Sequence, residues 1–361
     1  MEDMENRYED SNENAEENSN EIIYVKPPKA IFTILLVIIN ASIYIIVASY
    51  SALKGMDFNE GLYIFGAKLN LDIMSGQYWR FVTPIFLHAS IMHLLVNCYS
   101  LYWIGSLTER LYGHFKFLVI YLLAGVFGNI ISFMFSPNPG VGASGSIFGL
   151  LGALLYFGVE NPRLFRGYFG HNIIITILIN IIYGFTQPGI DNFAHLGGLL
   201  GGFLSAGIVK LRGTSSKWLK RPVFIILTFI ILASSIVYGF NNSQNLSIIK
   251  VEQLDKLMAE GSYREAGELG KEILSLKPKD DYIRLRTLWS LVIATASQGK
   301  YEEAFSYNEE IIKIDEPRGH YLKGLLLIDT GKISEGKEEL IKSKSLDPDL
   351  VEAVDRILDQ L

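Results

Sequence analysis

Two residues of this sequence could together carry out acyl transfer, and each lies close to one end of an apolar segment. Ser144 opens one segment, within Gly142-Ala143-Ser144-Gly145, and His195 lies near the start of another. A serine hydroxyl is a weak nucleophile until a base accepts its proton, so a serine within hydrogen-bond reach of a histidine is the minimum unit for acyl transfer. We therefore predict Ser144 as the nucleophile and His195 as the general base.

A third apolar segment supplies side chains suited to binding a tetrahedral oxyanion. His93 and Asn97 are four residues apart, so they lie on one helix face and donate hydrogen bonds in the same direction. Unpaired backbone N–H groups at a helix amino terminus also stabilise negative charge, and Ser144 is expected at such a terminus. The predicted oxyanion hole is His93, Asn97 and the Ser144 backbone N–H, each donor lowering the barrier by roughly 3 kcal/mol. His88, in the same segment, is a supporting residue.

Small residues predict that the serine and histidine segments pack closely. Such residues let two membrane helices approach, and here they are Gly145, Gly149, Ala153, Gly198 and Gly202. Each feature alone has an ordinary explanation, since serines in packed helices usually bond their own backbone and membrane histidines often serve packing or an ion pathway. Their joint placement at one depth favours catalysis. Asp191, four residues before His195, is an orienting group or, as we favour, a loop residue.

The composition places these groups inside a membrane. Of the 361 residues 49% are hydrophobic, and the net charge of −6 is concentrated at the two ends. Spanning or near-spanning segments are predicted at 30–50, 86–107, 115–135, 144–160, 171–186, 192–210 and 222–240, of which the fourth and fifth are short. The single cysteine, Cys98, excludes an intramolecular disulfide.

Lysines and arginines at the segment ends predict the orientation, because positive loops stay in the cytoplasm. With the amino terminus inside, the inner side receives Lys26, Lys29, Arg110, Lys116, Arg163, Arg166, Lys210, Arg212, Lys217, Lys220 and Arg221. The outer side receives only Lys54, Lys68 and Arg80. The catalytic candidates and the region after residue 241 then lie on the outer side.

That outer region contains a repeat. Gly261-Ser262-Tyr263-Arg264-Glu265-Ala266 recurs as Gly299-Lys300-Tyr301-Glu302-Glu303-Ala304 and, degraded, as Gly331-Lys332-Ile333-Ser334-Glu335-Gly336. A proline follows each unit, at Pro278, Pro317 and Pro348. The pattern resembles tetratricopeptide repeats, whose stacked helix pairs commonly receive peptides. An ordinary helical hairpin domain is the alternative.

Residues from about Ile31 to Lys210 resemble the rhomboid intramembrane serine proteases. Beyond Ser144 and His195, the resemblance rests on Trp79-Arg80, His93-x-x-x-Asn97, Gly105 with Glu109-Arg110 and Gly113, and Asn192-x-Ala194-His195-x-x-Gly198-x-x-x-Gly202. It implies a six-helix core whose Ser–His dyad opens to the outer face and cleaves transmembrane protein substrates, with Trp79-Arg80 in a structural loop. Phe148 replaces a tyrosine that many relatives stack on the histidine, and a phenyl ring still stacks.

The predicted fold class is all-α, a polytopic transmembrane helical bundle followed by a helical repeat domain. It comprises a disordered acidic cytoplasmic tail (1–29), a six-helix core (30–211), a cytoplasmic loop with a seventh helix (212–241) and an extracytoplasmic repeat domain (242–361). The last two resemble an accessory pattern of some bacterial rhomboids, so we expect a bacterial plasma membrane. Expected partners are the lipid bilayer, transmembrane substrates and an adaptor or substrate ectodomain at the repeats. We expect no cofactor, metal or nucleic acid, because no metal-ligand spacing occurs and the basic residues are topology signals.

Two other functions are weighed against proteolysis. A catalytically inactive rhomboid-like scaffold would bind membrane clients, although every candidate catalytic residue is present. A transporter would need a continuous polar path, whereas the inner halves of the segments are almost wholly apolar. Hydrolysis also requires water, and the polar set expected to keep a wet cavity is Arg80, His88, Asn97, Gln187 and Asn192.

Overall fold

The computed structural model describes residues 29–209, 211 and 221–361, and these residues are arranged almost entirely as helices. Within them the one β-type pairing is an isolated antiparallel bridge between Lys68 and Gly140. The all-helical prediction is therefore confirmed for the described part. The acidic tail predicted over 1–29 lies outside it except for its last residue, as does most of the loop predicted to begin at residue 212.

Each of the seven apolar segments predicted from the sequence contains a helix, although residues 87–90 of the second are not helical and residue 210 of the sixth is not described. The helices are α1 (Ile31–Lys54), α4 and α5 (Ile91–Ser100 and Ser106–Tyr112, joined by a π-helical turn, Leu101–Gly105), α6 (His114–Phe135), α7 (Ser144–Glu160), α9 (Gly170–Thr186), α10 (Asn192–Val209) and α11 (Arg221–Asn241). Four of them, α1, α6, α10 and α11, are long and apolar enough to cross a membrane by length and composition. The shorter α7 and α9 are also apolar.

The connection between α1 and α4 is folded, and we call it the outer loop after the side on which the sequence predicts it. It contains α2 (Phe58–Ile64), α3 (Asn70–Met74) and two 3₁₀ turns, Tyr78–Phe81 and Thr83–Phe86. On the other side of the bundle, α8 (Pro162–Tyr168) begins with a proline at its first position, where the missing N–H costs no hydrogen bond.

Three helices, α6, α7 and α10, pack together at the centre of the bundle. Glycines make this packing possible: a Cβ added to Gly202 would lie 1.8 Å from the carbonyl oxygen of Gly149, and one added to Gly149 would lie 2.0 Å from the Cβ of Ala124. In contrast α1 exposes large apolar side chains such as Ile38 and Ile45. The centre is thus held by backbone contact, and the periphery presents an apolar surface suited to lipid.

The region after α11 forms consecutive helices that pack on their sequence neighbours. They are α12 (Ser243–Ala259), α13 (Tyr263–Ser275), α14 (Asp281–Ala296), α15 (Tyr301–Ile314), α16 (Glu316–Asp329), α17 (Ile333–Leu346) and α18 (Val351–Leu358), the last preceded by a 3₁₀ turn, Pro348–Leu350. The repeat glycines Gly261, Gly299 and Gly331 each lie in a turn with φ between 72° and 83°. This explains the recurring glycine, and the assignment to tetratricopeptide repeats stays a prediction.

Helices α12–α18, called the outer helices after their predicted side, are fixed to the bundle by buried amides. The Nδ2 of Asn245, in α12, donates to the carbonyl oxygens of Phe133 (3.0 Å) and Gly239 (2.8 Å). Asn70 of α3 donates to the Oδ1 of Asn245 at 2.7 Å. The two bonds from Asn245 pair carbonyl groups in the last turns of α6 and α11, where such groups lack an intrahelical partner.

Candidate active site

Ser144 is the first residue of α7, and its helix begins without a capping side chain. Ala143 is the residue before the helix, and no side chain accepts a hydrogen bond from the first turn. The first intrahelical bond of this turn runs from Ile147 N to Ala143 O, at 3.0 Å. The backbone N–H groups nearest Ser144 therefore point out of the helix end, where an oxyanion can accept from them.

His195 lies in the first turn of α10, buried to 9% exposure. Its ring stacks on that of Phe148, with centroids 4.2 Å apart and planes 11° from parallel. The stack fixes the plane of the imidazole, as the resemblance implied for an aromatic residue at this position. A Cβ added to Gly198 would lie only 2.0 Å from the carbonyl oxygen of Gly145, so backbone contact brings the histidine helix against the serine helix.

His93 is held as a hydrogen-bond donor toward the serine turn. Its backbone N–H is capped by the Ser90 hydroxyl at 3.1 Å, and its Nδ1 accepts from the Ala89 N–H at 3.4 Å. An Nδ1 that accepts leaves the proton of the neutral ring on Nε2. That Nε2 lies 2.9 Å from a Cβ built on Gly142, whose φ of 133° is suited to glycine. His93 thus presents an N–H beside Ser144.

His88, just before α4, and Asn97, within it, are two other polar residues beside His93. His88 is 1% exposed, and its ring meets that of His93 edge to face at 5.3 Å. Asn97 is buried and donates one Nδ2 hydrogen to the His93 carbonyl at 2.9 Å. An amide carries a second N–H, so Asn97 retains a donor after this bond is made.

Ser144, His195, His93 and Asn97 line one cavity of about 330 Å³. Within the described part of the chain, the Ser144 hydroxyl and the His195 ring are not hydrogen-bonded to each other, and His195 Nδ1 has no partner. Catalytic hydrogen bonds are often long before substrate binds. The four side chains are therefore gathered at one cavity, with the proton-transfer bond not yet made.

The polar set expected to keep this cavity wet needs correction, because only Asn97 of its five members lines the wall. Arg80, for example, is 6% exposed and is bound inside the outer loop. Its partners are Gln77, Asp72 and the carbonyl oxygens of Tyr63 and Ala67, at 2.7 to 2.9 Å. Its neighbour Trp79 is 56% exposed. The polar wall comes instead from residues that the sequence did not single out, Asn129, Thr176 and Asn180.

Glu109 has a defined structural task at the opposite end of the bundle. It is 1% exposed and accepts from the backbone N–H groups of Phe32 (2.9 Å) and Thr33 (2.7 Å) and from the Thr33 hydroxyl (2.7 Å). A carboxylate at these amides caps the amino terminus of α1. Arg110, next to it, is exposed. The pairing spans 77 positions, so no local pattern could reveal it.

Two further residues near the site, Lys68 and Ser132, have contacts that the sequence reasoning did not predict. Lys68, counted there only as an outer charge, is fully buried and donates to Ser132. Ser132 in turn donates to Asp191, which lines the cavity and precedes α10. As for metals, residues 29–209, 211 and 221–361 contain no cluster of three or more His, Cys, Asp or Glu able to hold an ion.

The sequence of this chain is similar to those of known proteins. A family model described as the rhomboid domain matches residues 75–213. The chain is 39% identical over 267 residues to rhomboid protease GluP of Bacillus subtilis (strain 168), covering 74% of this chain and 51% of that relative. It is 38% identical over 137 residues to putative rhomboid protease YdcA of the same organism, covering 37% of this chain and 69% of that relative. The chain belongs to the rhomboid family.

Plant members of the rhomboid family match as well. RHOMBOID-like protein 9, chloroplastic, of Arabidopsis thaliana is 36% identical over 163 residues, 43% of this chain and 37% of that relative. The chain spans about half the length of GluP. Rhomboid membership, together with four helices long and apolar enough to span, makes this chain an integral membrane protein.

Proposed function

We propose that this rhomboid is an intramembrane serine endopeptidase that hydrolyses transmembrane proteins near the outer membrane face. The observation that carries the proposal is the single cavity shared by Ser144, His195 and His93 at the uncapped end of α7. The relatives named as rhomboid proteases support the same reaction class.

In the proposed reaction, His195 accepts the proton of the Ser144 hydroxyl as the oxygen attacks the scissile carbonyl carbon. The carbonyl electrons move to its oxygen, and the resulting oxyanion accepts from His93 Nε2, Asn97 and the Ser144 backbone N–H. Collapse breaks the C–N bond, and the proton on His195 passes to the leaving amine. Water then attacks the acyl-serine, His195 again accepts and returns a proton, and the second product leaves with Ser144 regenerated.

No carboxylate orients the His195 ring in this scheme. The Asp191 side chain, the nearest candidate in sequence, is engaged by Ala194 N–H and by Ser132. A buried third charge would be costly in a membrane. The Phe148 stack takes over part of the orienting task, so a two-residue dyad is sufficient.

The proposed substrates are transmembrane segments that unwind easily near the outer boundary. A regular helix keeps its carbonyl groups in hydrogen bonds, whereas glycine and proline weaken the helix and expose a carbonyl to attack. A model segment carrying a Gly-Pro-like break should be cut faster than a polyleucine segment in the same vesicles. Equal rates for the two segments would refute this preference.

The topology and the outer helices complete the proposal. The amino terminus is placed in the cytoplasm and the outer helical domain outside, in a bacterial plasma membrane, with tetratricopeptide-like repeats that bind an adaptor or a substrate ectodomain. The excess of lysine and arginine on one side supports this orientation. Protease protection of tags at the two termini in sealed vesicles measures it directly.

A catalytically inactive scaffold is the second candidate, and the missing hydrogen bond between Ser144 and His195 is the observation that favours it. A fluorophosphonate probe separates the two. An active enzyme is labelled on Ser144, as mapped by mass spectrometry, and labelling is lost in both Ser144→Ala and His195→Ala. A wild-type protein that is folded and remains unlabelled would support the scaffold.

A further inference from the structure

The reaction described above leaves Lys68 without a role, although its burial is costly. The side chain is fully buried in the outer loop, and its backbone is pinned by hydrogen bonds with Gly140 at 2.8 and 3.0 Å. Burial lowers the pKa of the Lys68 ammonium to about 8, against an opposing rise from the nearby Asp191 carboxylate. A buried charge persists only where partners compensate for lost hydration.

Those partners lead from Lys68 to the histidine helix. The Lys68 Nζ donates to the Ser132 Oγ at 3.0 Å and to the Ser136 carbonyl at 2.8 Å. The Ser132 Oγ accepts from the ammonium through one of its lone pairs, so its own O–H is free to donate. It donates a hydrogen bond to the Oδ2 of Asp191. An ammonium only donates and a carboxylate only accepts, so the bonds run from Lys68 through Ser132, which is fully buried in α6, to Asp191.

Asp191 uses its second oxygen to cap α10. Its Oδ1 accepts from the Ala194 N–H at 3.0 Å, and its carbonyl accepts from the His195 N–H at 3.1 Å. Both amides belong to the first turn of α10, the turn that carries the candidate base. The serine helix begins uncapped, whereas the histidine helix begins with a charged cap that is anchored on α6 and the outer loop.

We propose that Lys68, Ser132 and Asp191 form a latch that positions the first turn of α10, and with it the His195 ring, against Ser144. The three are positioning residues, because none is placed on the reacting atoms. The inference rests on the proposed function for its effect on rate, while its structural part concerns the order of one helical turn.

The test uses the full chain in detergent or vesicles and separates positioning from folding. Asp191→Ala should slow fluorophosphonate labelling at least about tenfold, because small displacements of a catalytic group cost large factors. The final labelled fraction should be unchanged. Asp191→Asn should recover part of the rate, since its amide oxygen still caps Ala194 while its N–H group gives Ser132 no acceptor. In the double variant, the losses of labelling rate caused by Lys68→Met and Asp191→Asn should be less than additive on a free-energy scale.

Asp57→Ala is the matched control, because Asp57 caps α2 in the outer loop through Asn59 N at 2.8 Å and is exposed. It should label at the wild-type rate. Hydrogen exchange gives an independent reading: amides 192–196 should exchange faster in Asp191→Ala, with α6 unaffected.

The latch is overturned if Asp191→Ala labels at the wild-type rate, or if rate and labelled fraction fall together. Unchanged exchange at 192–196 would overturn it as well, even if the wild-type enzyme took up no probe. In that last case the absence of labelling would count separately, against the proposed proteolysis.

Discussion

Replacing Gly198 by alanine should separate the serine and histidine helices and nearly abolish activity. The added Cβ would lie 2.0 Å from the Gly145 carbonyl oxygen and 3.1 Å from the Gly145 Cα. Both atoms belong to the backbone of α7, so no side chain can rotate away to relieve the overlap. Gly145 directly follows Ser144, which means that the displacement reaches the nucleophile itself.

The size of the effect follows from this distance. A comfortable carbon contact is about 3.5 Å, so the two helices must part by roughly 1.5 Å. Misplacement of a reacting group by about 1 Å costs on the order of 100-fold in rate, and kcat/KM should fall by at least that factor. The overlap should cost about 1–3 kcal/mol of stability, less than the total of a typical domain.

The assay is cleavage of a model transmembrane substrate in vesicles, with a thermal melt of each variant alongside. Gly167→Ala is the matched control, because Gly167 is a helical glycine with no atom within 4 Å of the built Cβ. It should retain wild-type kcat/KM. A folded Gly198→Ala enzyme within about twofold of wild type would refute the close-packing argument.

Three further outcomes are expected. Phe148→Ala removes the ring stacked on His195. Because such an aromatic pair is worth about 0.5–1.5 kcal/mol, kcat should fall by roughly two- to tenfold, whereas Phe148→Tyr should leave kcat unchanged. Equal kcat for both variants would exclude an orienting role. Asn245→Leu removes three buried hydrogen bonds, two donated to the carbonyl oxygens of Phe133 and Gly239 and one accepted from Asn70, and should lower stability by about 1–3 kcal/mol in a thermal melt. The exposed Asn241→Ala should change little. Equal melts for the two variants would show that the outer helices are not fixed as described. Burial holds the pKa of the Lys68 ammonium at about 8, below its ordinary value of 10.5. Between these two pH values the unfolded chain binds more protons than the folded chain, so stability should rise with pH across that window by on the order of 3 kcal/mol. Lys68→Met should lose this rise, and a variant that keeps it would refute the assignment.

The helices and their order were predictable because membrane segments are recognisable in a sequence as long apolar runs. Each of the seven segments contains a helix, and the small-residue stripe of Gly198 and Gly202 does face Gly145 and Gly149. The gathering of Ser144, His195, His93 and Asn97 at one cavity also agrees with their predicted common depth. These features depend on local composition and helical spacing, which a single sequence displays.

The features that escaped prediction are long-range hydrogen bonds. Glu109 caps a helix 77 positions away, and Asn70 meets Asn245 across 175 positions. Arg80 was expected to help wet the cavity, yet three of its nitrogens are used inside the outer loop. Nothing in the local pattern distinguishes a buried lysine such as Lys68 from an exposed topology charge. Such partners are fixed by tertiary packing.

In the proposed reaction Ser144 attacks the substrate and His195 takes its proton within the bundle. The most direct measurement is cleavage of a reconstituted transmembrane substrate by wild type, Ser144→Ala and His195→Ala, each shown to be folded by its thermal melt. We expect product from wild type alone, released by a cut near the outer boundary. Product at the wild-type rate from either variant would contradict it.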